Sequence, residues 1–161
     1  MVTRSMAPTE RLLRMAHAFV EEARHDLEKA TLEGSDLPPR IRCIYERAGH
    51  ATPEFRTLAV PIPPGAEGGS PAVLSQVIAR YTRTKSPAGL LLVLDVLGED
   101  ERGNPSSILI AEARDRLGTR MFMVQPFRIS GRRVEWDEPL EGGWRDPGGE
   151  EMILDASFTS R

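Results

Sequence analysis

LLLVLDVLGEDERGNPSSILIAEARDRLGTRMFMVQPFRISGRRVEW, residues Leu90 to Trp136, decides the fold. Leu90 to Leu97 is apolar on both faces, as a central, covered strand is. Gly98 to Pro105 is a polar loop, and Ser106 to Arg114 is the next strand. Asp115 to Gly118 predicts a turn and Thr119 to Ile129 a third strand. Ser130-Gly131 reads as a tight two-residue turn into a fourth strand, Arg132 to Trp136. Pro126 either requires a bulge in the third strand or limits its pairing on one side, because proline cannot donate to a ladder. The expectation is a four-strand antiparallel meander.

Upstream, Leu12, Met15, Ala16, Phe19, Val20, Ala23, Leu27 and Ala30 recur at helical spacing between Glu10 and Glu33. They fill one stripe, with His17, Glu21, Arg24, His25 and Glu28 opposite. Thr9 fits an N-cap and Gly34 a C′ terminator. After the linker Ser35 to Pro39, Arg40 to Arg47 alternates as a strand does, with Ile41, Cys43 and Tyr45 on one side. Glu54 to Ile62 is its hairpin partner, ended by Pro61, Pro63 and Pro64. Ser70 at the N-cap and Pro71 at N1 start a second helix, whose apolar face is Val73, Leu74, Val77, Ile78 and Tyr81. Downstream, 137–161 is an acidic, Gly/Pro-rich tail in which Met152 to Phe158 reads as a last short strand. The order is helix (10–33), hairpin (40–62), helix (70–85), meander (90–136) and tail. It predicts a single α+β domain over 1–161, mainly antiparallel, with both helices packed on one face of the sheet.

Composition narrows the function classes. The chain has 161 residues, 40% hydrophobic and 28% charged, in the globular range. A formal net charge of −3 supplies no global attraction to nucleic acid or an anionic membrane. No apolar run is long enough to span a bilayer, and Met1 to Met6 lacks the apolar stretch of a signal peptide. The single cysteine, Cys43, permits no intramolecular disulfide and fits a reducing, cytoplasmic compartment. The 21 basic residues include only two lysines, Lys29 and Lys85. This bias, with abundant Ala, Gly and Pro, reads as the mark of a GC-rich, bacterial-type genome.

Candidate chemistry is sparse. His17, Glu21, His25 and Glu28 line one side of the first helix, and Glu22-Ala23-Arg24-His25 has the Glu-x-x-His form of di-iron bundles. Those bundles need two such motifs and further glutamates on other helices; the stripe reads as a solvated face, with no metal site. Gly65 to Gly69 is a plain loop, without the Gly-Lys-Ser/Thr of a Walker A segment. Cys43, inside an alternating strand, reads as a buried structural thiol. His50 follows Gly49 in a turn, and no nucleophile elbow accompanies it. No cofactor motif is present.

Asp95 with Ile108-Leu109-Ile110-Ala111-Glu112-Ala113-Arg114 resembles the aspartate and Glu-x-Lys hairpin of the PD-(D/E)xK nucleases, with arginine in place of lysine. The resemblance implies two acids holding a metal ion that activates water. Register tells against it. A hairpin closing over Gly98 to Pro105 sets Asp95 near Ile108 and Glu112 near Leu91, leaving the acids roughly 13 Å apart. Arginine also stays charged and cannot serve as a base.

Charge segregation is the more suggestive feature. Arg114 to Arg133 holds six arginines (Arg114, Arg116, Arg120, Arg128, Arg132, Arg133) and one acid, Asp115. Glu135 to Asp155 holds eight acids and one arginine, Arg145. The acidic tail either folds back on the basic strands or faces a partner of its own. Trp136 and Trp144 lie in the acidic region, and tryptophan is enriched at binding hot spots. The sequence thus leans away from an enzyme. It favours a non-enzymatic protein-interaction or accessory module, contacting a protein partner or a second copy through Arg128, Arg132, Arg133, Trp136 and Trp144. A small metal-dependent hydrolase using Asp95, Glu99, Asp100 or Glu112 is one alternative; a small-molecule site between the second helix and the sheet is another.

Overall fold

The computed structural model describes residues 8–61, 70–99 and 101–158. Two helices, α1 (Pro8–Glu33) and α2 (Pro71–Arg83), accompany six strands. The strands are β1 (Arg40–Tyr45), β2 (Glu54–Ala59), β3 (Gly89–Glu99), β4 (Pro105–Asp115), β5 (Arg120–Ser130) and β6 (Arg133–Trp136). They form one antiparallel sheet in the order β2-β1-β3-β4-β5-β6. The Gly65–Gly69 loop, Pro63, Pro64, Asp100 and the first residues of the chain lie outside the described residues.

The helices do not share a face. Leu12, Ala16, Phe19, Val20, Ala23 and Leu27 of α1 pack on Leu91, Val93, Leu109, Ala111, Ala113, Met121, Met123 and Phe127. Leu74 and Ile78 of α2 pack on Ile41, Cys43, Leu90, Leu92 and Leu94. Successive residues of β3 therefore serve opposite cores, since side chains alternate across a strand. The expected one-sided arrangement is corrected by the run Leu90–Leu94, whose two apolar faces each need a cover. Arg42 and Ile44, on the α1 side of β1, are buried as well, so β1 is an interior strand covered on both sides.

Two local devices set the meander's limits. The β5–β6 turn is Gly131-Arg132, one residue later than expected, because Ser130 pairs with Arg133. Gly131 takes φ +65°, which glycine adopts without penalty. Pro126 pairs opposite Ile108 with no bulge. Its carbonyl accepts the Asp137 N–H on the β6 side, and a strand residue's N–H and C=O point the same way. The missing donor therefore faces β6, leaving the β4 ladder whole and stopping β6 at Trp136.

The tail departs from expectation. Ile153–Ser157 is a 3₁₀ helix, not a strand. Its first amides find side chains in place of a ladder: Ile153 and Leu154 donate to the Glu112 carboxylate, and Met152 donates to Asp155. Leu154 is fully buried beside α2.

Candidate interaction surface

The acids of the nuclease-like hairpin do not converge. Asp95 pairs with Leu109 and Glu112 with Leu92, one residue from the expected register. Asp95 shares the side of Leu91 and Val93, under α1, whereas Glu112 shares that of Leu92, under α2. The sheet itself separates them. Glu112 is committed to the Ile153 and Leu154 amides, at 3.1 and 2.9 Å. The Glu99 side chain and Asp100 are outside the described residues. Among the described residues no three His, Cys, Asp or Glu side chains group as metal ligands. The thiol of Cys43 is buried, and burial raises its pKa.

The basic and acidic segments meet at one end of the meander. Asp155 lies between Arg114 and Arg120, which both hold its carboxylate. Arg120 also donates to the carbonyls of Gly148 and Glu150 at 2.9 and 2.6 Å. Burial by itself would raise the Asp155 pKa. The hydrogen bonds from Arg120, the Met152 amide and Arg114 outweigh it and hold the group at about 2. Arg145 pairs with Glu141 and lies over the Phe122 ring, with its backbone bridged to Phe122. Trp144 packs on the α1 core beside this bridge and lines a cleft of about 440 Å³ with Thr119, Arg120 and Asp146. At this end Arg114 and Arg120 bind the tail, while Arg116 pairs with Glu46.

At the other end the arginines do not. The β5–β6 hairpin carries Arg128, Ile129, Arg132 and Arg133, all exposed. Among the described residues Arg128 pairs only with Glu135, at 3.5 Å and largely in solvent, a contact of small energetic weight. Arg132 and Arg133 form no ion pair with any described residue. Trp136, at the base of this hairpin, stacks on Phe127 at 5.1 Å, donates its indole N–H to Glu28 at 2.8 Å and lies under Arg24. It ties β6 to α1 and is partly buried against the α1 core. The five residues singled out by sequence thus divide. Arg128, Arg132 and Arg133 share the β5–β6 hairpin, but Arg128 and Arg133 lie on the face opposite α1, whereas Trp136 is on the α1 face with Phe127. Trp144 sits beside Phe122 at the far end. The distance along β5 from Phe122 to Ser130, at about 3.3 Å per residue, is roughly 26 Å.

A second exposed element carried no sequence motif. Strand β2 pairs with β1 on one side only, and Glu54 to Thr57 are all exposed. Phe55 is 53% exposed, with the Arg42 guanidinium over its ring, and Arg42 is itself held by Glu22 and Thr57. Its signal in the sequence was a short alternating strand with no proline or lysine inside it to discourage further pairing.

Comparison with protein-family models, with curated proteins and with solved structures returns no match to this chain. No helix among the described residues is long and apolar enough to cross a membrane.

Proposed function

We propose that this chain is a non-enzymatic protein-interaction module that meets an acidic protein segment at the β5–β6 hairpin. The observation that carries the reading is the unequal use of its arginines. Arg114 and Arg120 are consumed by the chain's own tail, while Arg132 and Arg133 are left in solvent at the end of the hairpin. Exposed cations without an ion pair on one hairpin match an acidic segment, and arginine's fork favours bidentate carboxylate contacts. Opposite sheet faces for Asp95 and Glu112 weigh against the hydrolase reading. The side chains filling the space between α2 and the sheet weigh against a pocket there.

The test compares captured partners across a charge reversal. Arg128→Glu, Arg132→Glu and Arg133→Glu together should leave the melting temperature within about 2 °C, because exposed substitutions usually change stability little. The same variant should lose the proteins that cross-link to the wild-type hairpin at low salt. Recovery of an identical set by both forms would refute the reading.

A further inference from the structure

We propose that β2 is a homodimer edge, pairing antiparallel with β2 of a second copy about a two-fold axis at Phe55. The two ends of the sheet are treated differently. On the β5–β6 side, β6 is short, Pro126 withholds a donor, Asp137 binds Pro126 and Arg145 bridges to Phe122. Such features blunt an edge against further pairing. Strand β2 has none of them.

The ladder shows which backbone groups β2 offers. Val60 donates to Pro39 at 2.7 Å, so this pair is hydrogen-bonded. In an antiparallel ladder such pairs alternate, and the register Ala59↔Arg40, Thr57↔Arg42, Phe55↔Ile44 falls on the non-bonded positions. The N–H and C=O groups of Phe55, Thr57 and Ala59 therefore point away from β1, into solvent.

The side chains choose the register. A two-fold axis perpendicular to the sheet keeps both α1 layers on one side, and opposed residues must then share a face. Centring on Phe55 satisfies this and sets Glu54 opposite Arg56 of the second copy, and Arg56 opposite its Glu54. Centring on Glu54 or on Arg56 opposes a charge to itself, which destabilises a pair. Centring on Thr57 leaves both charges without a partner. In the Phe55 register the two Phe55 residues exchange backbone hydrogen bonds, and each Thr57 N–H meets the Pro53 carbonyl of the other copy. Pro53 has no N–H to waste there. The two Phe55 rings lie side by side on the α1 face, each already supported by Arg42 at 4.4 Å. The exposed Arg47–Glu54 contact, at 3.1 Å, is readily shared with an incoming arginine. The result is one continuous sheet through both copies.

Sedimentation velocity and light scattering of the full chain over a concentration series test this. The wild type should reach twice the chain mass. Arg56→Glu faces like charges across the axis and should weaken the dimer at least about tenfold. Adding Glu54→Arg to Arg56→Glu regenerates the complementary pairs and should restore it. Phe55→Pro removes an outward N–H, at a position where an edge strand accepts proline, together with the ring that lies against Arg42, so it should give a monomer with an unchanged circular-dichroism spectrum. The proposal is overturned by a wild-type monomer at every concentration, or by a dimer indifferent to Arg56→Glu and Phe55→Pro. Charge reversal at Arg132 and Arg133 should leave the dimer intact, separating this edge from the hairpin surface.

Discussion

Burial pushes the Glu112 carboxyl above its ordinary range, with the Leu154 and Ile153 amides opposing the rise. Asp155 moves the other way, to about 2 from 3.8, as its hydrogen bonds outweigh its burial. The two groups bend the stability curve in opposite senses. For Glu112 the folded state binds the proton more tightly than the unfolded one, so stability rises as pH falls through its raised pKa towards 4.5. For Asp155 the unfolded state takes the proton first. Its contribution is complete above 3.8 and is lost as pH falls towards 2. Urea unfolding across acid pH should therefore show a maximum near the ordinary carboxylate range. Glu112→Gln should flatten the rise, and Asp155→Asn should remove the acid limb of about 1–2 kcal/mol. Glu112→Ala, which strands two amides, should cost about 2–4 kcal/mol, and more than Glu112→Gln.

Among the elements, α1 and the sheet share a core that includes Ala16, Ala23, Ala111 and Ala113, all four essentially inaccessible. Ala113→Leu must therefore displace the helix or strain rotamers, at about 1–3 kcal/mol or more. Thermal melting and loss of the Trp136 fluorescence environment should report it together, since Trp136 is tied to Glu28 of the same helix. The helical spacing from Leu12 to Ala30 and the Ser70-Pro71 start made both helices readable. The 3₁₀ turn at Ile153–Ser157 was not readable, since Met152 to Phe158 has the apolar content of a strand. Its conformation comes from Glu112, some forty positions away, accepting its first amides. No local propensity carries that information.

Over the whole molecule, the tail closes the second core. Leu154 is fully buried with α2, and Ile153 and Phe158 pack at its margin. A chain ending at Pro147 would uncover this surface and leave Arg114 and Arg120 without Asp155. Its melting temperature should fall by at least about 10 °C, measured by calorimetry against the full chain. A fall of a degree or two would mean that the Arg–Asp clasp and Leu154 add little. Of the proposed interaction surfaces, the basic hairpin was legible from its run of arginines. The β2 edge was not, because exposure of Glu54, Phe55 and Arg56 follows from strand order, which composition does not encode.

The sequence by itself determined the two helices and the six strands of the sheet, and their order. Period-two and period-3.6 patterns, Gly131, Pro126 and the Ser70-Pro71 start act over a few residues, and so can be read locally. It also determined that Leu90 to Leu94 must be covered on both faces. Only the tertiary structure decided what covers each face, because apolar side chains attract any apolar surface and carry no address. It set α1 and α2 on opposite sides, put Asp95 and Glu112 on different faces through a one-residue register, and spent the first arginines on the tail. Those outcomes rest on contacts between distant residues, where geometry selects among partners that chemistry alone leaves equivalent.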